Sequence, residues 1–177
     1  MKKFFLVLTS LFVIGTSSFA LDAKTLWTSY GGGLKNGSSV INAGIGLTSI
    51  FGYGIAIPPL SVSYERCVLI ADMLPFSFGG NVSFYGFGTG FGADDVFWSN
   101  IAVDAFAKYH VNFGVPNLDV YAGLAIGPRF YWAEDYFATY FNWGTFIGAG
   151  WYFTDNFGLV AEAGYPYWFN VKASFKF

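Results

Sequence analysis

The stretch IAVDAFAKYHVN, residues 101–112, decides the fold. Its alternate positions Ile101, Val103, Ala105, Ala107, Tyr109 and Val111 are all apolar. Between them stand Ala102, Asp104, Phe106, Lys108, His110 and Asn112, which carry the charges. Successive side chains of a strand point to opposite faces. A soluble half-buried strand keeps its polar face toward water. Here the uniform face is the greasy one, which fits lipid outside and a polar sealed interior.

The stretch YWFNVKASFKF, residues 167–177, repeats the pattern. Tyr167, Phe169, Val171, Ala173, Phe175 and Phe177 make one face. Trp168, Asn170, Lys172, Ser174 and Lys176 make the other. Its length matches the ~9–11 residues of a tilted membrane strand. In hydrocarbon, strands satisfy their backbone hydrogen bonds only as a closed barrel. The long uncharged stretches 36–64 and 136–154 are dense in Gly, Ser, Thr and Asn, and the first holds Pro58 and Pro59. That composition speaks against helical spans.

Composition agrees. The chain is 54% hydrophobic, 23% aromatic and only 11% charged, where a soluble domain carries about 25% charged residues. The aromatics and 23 glycines suit strands and turns. Lys2 and Lys3, an apolar run from Phe4 to Ile14 and the small Ser18-Phe19-Ala20 make a Sec signal peptide over 1–20. Residues 21–177 are then one barrel domain. Without Lys2 and Lys3 the mature chain has seven basic and eleven acidic side chains, so no basic patch is present to hold nucleic acid.

The periodicity predicts eight strands, near 39–49, 57–68, 74–86, 98–112, 118–131, 141–153, 157–165 and 167–177. Short turns near 70–72, 114–117 and 154–156 face the periplasm, and longer connections at 50–56, 87–97 and 132–140 face outside. A tight turn at Tyr165-Pro166 is the fourth outer connection. Segment 21–38 is either a periplasmic leader or part of the first strand. Trp98, Trp132, Trp143 and Trp168 would mark the outer rim; Trp151, Tyr152, Phe153, Phe175 and Phe177 would mark the periplasmic one. The fold expected is all-β, an antiparallel eight-stranded transmembrane β-barrel.

A last strand of alternating aromatics ending in Phe resembles the assembly signal of bacterial outer-membrane barrels. Its members here are Tyr167, Phe169, Val171, Phe175 and Phe177. The mature chain resembles the small OmpA-like, OmpW-like and opacity-like barrels, and is similar to short barrel proteins of spirochaetes. The resemblance implies a monomer in outer-membrane lipid, inserted by the barrel assembly machinery.

An eight-stranded barrel has a lumen that side chains fill. The inward phase places Glu65, Lys108, Glu162 and Lys172 at one middle depth. Asp104 and Arg129 fall higher, as a second ion cluster, and Asp119 falls at the periplasmic rim. Gly44, Gly46, Gly79, Gly123, Gly127, Gly144, Gly148 and Gly150 leave room for inward Tyr85, Phe106, Tyr121 and Phe146. The charges balance, as burial requires. They read as a plug of salt bridges in preference to an ion path.

The enzyme reading is a lipid A-modifying acyl enzyme, which needs a serine, a base and an acid in reach. The sole histidine, His110, falls at the periplasmic end and has no serine two residues away. With one His and one Cys no metal cluster is visible, and Cys67 has no disulfide partner. Gly86 to Gly90 has glycines in a nucleotide-like spacing, but an outer loop lacks the strand-to-helix context that gives it meaning. No cofactor is expected.

The outer connections hold the remaining functional surface: Asp94, Asp95, Trp98, Glu134, Asp135, Tyr136 and Phe137. Their acids and aromatics suit contact with an extracellular ligand or host protein. The chain is thus expected to be a non-enzymatic envelope protein. The alternative is a narrow channel for small solutes.

Overall fold

The computed structural model describes residues 23–47, 55–88 and 96–177. The signal-peptide segment 1–20, Asp94 and Asp95 lie outside the described residues. The strands are β1 Ser39–Leu47, β2 Ile55–Ile70, β3 Leu74–Gly88, β4 Phe97–Val111, β5 Leu118–Ala133, β6 Tyr136–Tyr152, β7 Phe157–Gly164 and β8 Phe169–Lys176. They form a closed antiparallel barrel in sequence order. Ser39 N donates to Phe177 O at 2.8 Å, and Phe177 N donates back to Ser39 O at 2.9 Å. That exchange begins the β1–β8 ladder, which runs from Val40↔Lys176 to Leu47↔Phe169.

The alternation has the sense that the sequence predicts. Ile45, Val62, Val82, Val103, Leu124, Ile147 and Leu159 face out and are exposed. Ser63, Glu65, Asn81, Asp104, Lys108, Glu162 and Lys172 face in and are buried. This inverts a soluble protein, where charged groups are almost never fully buried and broad apolar patches are covered. The fold is a transmembrane β-barrel, and hydrocarbon covers its belt.

The wall has two heights. β2 to β6 are 15 to 17 residues long, whereas β7, β8 and β1 have 8, 8 and 9. The β6–β7 ladder stops at Phe146↔Gly164. β6 continues beside β5 to the pair Ala133↔Tyr136, so its last turn away from β7 stands about 30 Å along the strand above the low side. The low side lies at the far end of the barrel, opposite the Ser39–Phe177 edge, which is the terminal end.

Two expectations about the strands need correction. The connection 132–140 is not a loop: β5 and β6 meet in the two-residue turn Glu134-Asp135, with Glu134 at φ 43°. Tyr136 and Phe137 are strand residues. The run YFATYFNW puts aromatics on both faces, so no period of two is visible there. The last strand starts at Phe169, after a turn at 165–168. That turn resets the phase: Tyr167 is buried in the lumen and Trp168 points out, the reverse of the expected order.

Segment 21–38, in its described part, is neither a free leader nor a strand. Helix α1, Ala23–Thr28, lies outside the barrel at the terminal rim. Trp27 stacks on outward-facing Tyr109 with centroids 6.4 Å apart. Tyr109 Oη donates to Trp27 O at 2.6 Å, and Asn112 N to Leu26 O at 3.0 Å. The chain then crosses the rim and drops Tyr30 into the mouth, where its Oη donates to Phe76 O at 2.7 Å. Leu34 packs on Val40 and Cys67. Gly32 and Gly33 take φ 59° and 69°, a region that only glycine enters freely. Burial raises the pKa of the Tyr30 phenol, with the nearby Cys67 and Asp119 adding to the effect. The strap closes the terminal end of the lumen.

Candidate functional site

The middle of the lumen is a layer of ions. Lys108 Nζ lies 2.9 Å from Glu65 Oε1 and 3.5 Å from Glu162 Oε1. Lys172 makes a close ion pair with Glu162 Oε2. Ser77 Oγ donates to Glu65 Oε2 at 2.5 Å, Asn42 Nδ2 to its Oε1 at 3.3 Å, and Tyr121 Oη to Glu162 Oε1 at 2.6 Å. The Lys108 ammonium also sits 4.3 Å from the centre of the Tyr121 ring and 4.9 Å from that of Phe106. β2, β4, β7 and β8 thus bring two acids and two bases together at one depth. Paired and hydrogen-bonded, they escape the penalty of lone buried charges. Inward glycines give the rings their space: a Cβ on Gly123 would overlap Phe146, and one on Gly148 would overlap Tyr121. The layer fills the bore.

Below it runs a hydrogen-bonded file toward the terminal end. His110 Nε2 is 3.0 Å from Ser77 Oγ, and His110 Nδ1 is 2.9 Å from Asp119 Oδ1. Hydroxyl, imidazole and carboxylate stand in the order of a nucleophilic triad. Sequence reasoning missed Ser77, because it looked along one strand. The β3–β4 register, with Ser77 opposite Lys108, brings it in diagonally. The proton count disarms the triad. A serine nucleophile hands its proton to the imidazole. Ser77 has one proton, and it goes to Glu65, whose carboxylate only accepts. All three side chains are buried, and the Tyr30 ring meets His110 edge-on at 5.2 Å. The file is a strut.

Above the ion layer Asp104 and Arg129 do not pair. Asp104 accepts from Tyr165 Oη at 2.9 Å and from Asn81 Nδ2 at 3.5 Å. Arg129 Nη2 reaches Pro166 O at 3.4 Å, and its Cζ lies 5.0 Å from the Tyr165 ring centre. Tyr165 thus serves both, because the low β7–β8 turn folds 165–167 into the bore. A cavity of ≈ 20 Å³ remains among Asn81, Asp104, Tyr165, Tyr167, Asn170 and Lys172, enough for a single water.

Higher still, the tall wall carries rings on its concave face. Tyr85 meets Tyr167 at 6.4 Å and Phe87 at 6.1 Å; Phe87 stacks on Trp98 at 6.4 Å. Trp98 meets Tyr136 at 5.3 Å, and Tyr131 meets Tyr140 at 5.6 Å. Trp98 therefore lines the bore, while Trp132, Trp143 and Trp168 stand on the outward face. Tyr152 ends β6 at the terminal rim, the end expected for it, but it faces into the bore, 3.1 Å from Ser174 Oγ. Glu134 and Asp135 cap the hairpin, and Phe137 points out from it, all exposed. Phe169, Val171, Phe175 and Phe177 also face out.

No family model and no curated protein matches the chain. Among solved structures it is similar to Ail, the attachment invasion locus protein of Yersinia pestis. The match has 17% identity and a TM-score of 0.44, and covers 81% of this chain and 100% of that one.

Proposed function

We propose that the chain is a non-enzymatic outer-membrane protein that makes contacts at the cell surface with an extracellular ligand or host molecule. Residues 1–20 direct export and are removed. The terminal end faces the periplasm and the far end faces outside, since short turns gather at the former. The protein acts as a monomer in outer-membrane lipid, and the barrel assembly machinery reads Tyr167 to Phe177. One observation carries the reading: the bore is closed twice, by the Lys108 layer and by the strap, while the β5–β6 hairpin rises well above the low β7–β8 side. A closed bore supports surface contact over conduction.

The test is adhesion of producing cells to a cultured epithelial layer, with Glu134 to Phe137 replaced by a Gly-Ser linker. Adhesion should fall to the level of cells lacking the protein; undiminished adhesion refutes the reading. Defined unitary currents from the wild-type protein in planar bilayers would favour the channel alternative. Deleting Phe175 to Phe177 should abolish membrane insertion, and normal insertion would remove the assembly role.

A further inference from the structure

The lipid-facing wall carries a single charge. Among the described strand residues Arg66 is the only charged side chain that points outward; every other one points into the bore. Arg66 is exposed, between Tyr64 and Val68 on the outer face of β2, opposite Ser39 of β1 and Phe78 of β3. An arginine on this face is costly at mid-depth and cheap near the headgroups. Arg66 is near the headgroups of the terminal leaflet: its partner Ser39 exchanges hydrogen bonds with Phe177 at the terminal edge. Tyr64 beside it puts its hydroxyl 3.1 Å from Ser39 Oγ, and such ring-and-hydroxyl side chains mark the interface.

The guanidinium is open. It has five N–H donors, of which the Tyr64 oxygen takes one. No carboxylate pairs with it among the described residues. Gly37, at φ 86°, offers no side chain against it: a Cβ built there would meet Arg66 Nη2 at 4.0 Å. Such a fork fits the oxygens of a phosphate.

A second feature lies farther up the same face. A groove of ≈ 390 Å³ runs over β1–β3, lined by Ala43, Leu60, Val62, Val82 and Phe84. Ala43, Val62 and Val82 form one rung across the three strands, and Leu60 and Phe84 face each other in the next. Val62 is four residues from Arg66, about 13 Å along the strand. A phosphate alone would occupy the fork and leave the groove bare. Hydrocarbon alone would fill the groove and leave the fork unmatched. A phospholipid answers both. Its charge follows as well. A zwitterionic headgroup brings an ammonium, and no described acid stands with Arg66 to receive it. Apart from the lumen groups, the described bases Lys24, Lys35, Arg66 and Lys176 all lie toward the terminal end, against Asp72 and Asp155 there. That end therefore favours a negative headgroup.

We propose that the outer face of β1–β3 binds one anionic phospholipid, with its phosphodiester on Arg66 and an acyl chain in the groove. In the orientation given under the proposed function, this is a lipid of the periplasmic leaflet.

The experiment uses the full mature chain refolded in tetraethylene glycol monooctyl ether, a neutral detergent without phosphate. Native mass spectrometry counts the lipids retained as dimyristoyl phosphatidylglycerol or dimyristoyl phosphatidylcholine is added. One phosphatidylglycerol should bind per barrel, about tenfold or more tighter than phosphatidylcholine, the worth of roughly one charge-assisted contact. Arg66→Gln should erase that preference. Ala43→Phe fills the groove without touching the charge, and should weaken phosphatidylglycerol binding while the preference remains. Phe137→Ala, at the far end, should change neither. Inorganic phosphate in large excess should not displace the lipid. Heat-modifiable migration confirms that each variant is folded. Equal affinity for the two lipids, a preference that survives Arg66→Gln, or unaltered binding in Ala43→Phe overturns the proposal. Displacement by inorganic phosphate overturns it too, since the fork would then be a phosphate site with no use for the groove. Micelles have no leaflets, so failure here leaves the surface-contact reading standing, and loss of that reading leaves the lipid site standing.

Discussion

Lys108→Met is the perturbation that weighs the ion layer. Methionine keeps most of the side-chain volume and removes the charge that two carboxylates share. Glu162 retains Lys172 and the Tyr121 hydroxyl. Among the described residues Glu65 retains two neutral donors, Ser77 at 2.5 Å and Asn42 at 3.3 Å. Breaking a buried pair by removing one partner costs about 3–5 kcal/mol. The remaining donors to Glu65 place this case near ~3 kcal/mol, since hydrogen bonds to a charged group contribute ~1.5–3 kcal/mol each. Adding Glu65→Gln removes the stranded charge. The double variant should then recover to within ~1 kcal/mol of the wild type, because a neutral replacement of a buried pair is often nearly neutral. The assay is reversible urea unfolding of the barrel in lipid vesicles, read by tryptophan fluorescence and arranged as a double-mutant cycle. A Lys108→Met loss below ~1 kcal/mol, or strictly additive single effects, refutes the account of the layer as a mutually dependent cluster.

Three further outcomes follow from the same geometry. Tyr30→Ala should lift the cover from Cys67, which lies in one cluster with Tyr30 and Leu34. The rate of maleimide labelling at this sole cysteine should rise at least tenfold; an unchanged rate means that the strap does not seal the mouth. Gly127→Ala would drive a Cβ into the Val103 carbonyl oxygen and to 2.8 Å from Asp104 Cα, which is backbone and does not yield. It should destabilise by about 1–3 kcal/mol, the range for overpacking. Gly88→Ala, with nothing within 4 Å, should change stability by less than ~0.5 kcal/mol in the same unfolding measurement, as substitutions away from packed sites do.

The fold was legible because lipid makes the signal strong. Residues 101–111 state in one strand which face is wet, and the turns that carry Asp, Asn or Gly state where strands end. The signal weakens where both faces meet the same surroundings. At 136–143 the hairpin stands above the belt, both faces carry aromatics, and the strand looks like a loop. The phase at Tyr167 departs from the pattern for a different reason. A pattern counted back from Phe177 holds only as far as the backbone stays extended, and the chain turns at 165–168. The site divides in the same way. The depths of Glu65, Lys108, Glu162 and Lys172 follow from counting residues along each strand. The Ser77–His110–Asp119 file depends on which strands adjoin and in what register, and no count along one strand contains it. Tyr165 between Asp104 and Arg129 depends on how deep a turn dips, which composition does not encode.

The two closures of the bore are not redundant. An ion layer open to water on its lower side would exchange its hydrogen bonds with solvent and lose most of its attraction, because charge pairs weaken as the local dielectric rises. The strap prevents that. Tyr30 sits on His110, His110 holds Ser77, and Ser77 holds Glu65, so the dryness of the layer depends on a ring three links away. The dependence has a sign. In the Tyr30→Ala background water reaches the file and can solvate Glu65. Lys108→Met should then destabilise by less than it does in the wild type, and the two substitutions should be coupled although the side chains do not touch. Equal effects of Lys108→Met in both backgrounds would mean that the Asp119–His110–Ser77 file already keeps water out alone. The strap would then be a cover over the rim, with no part in the energetics of the ions.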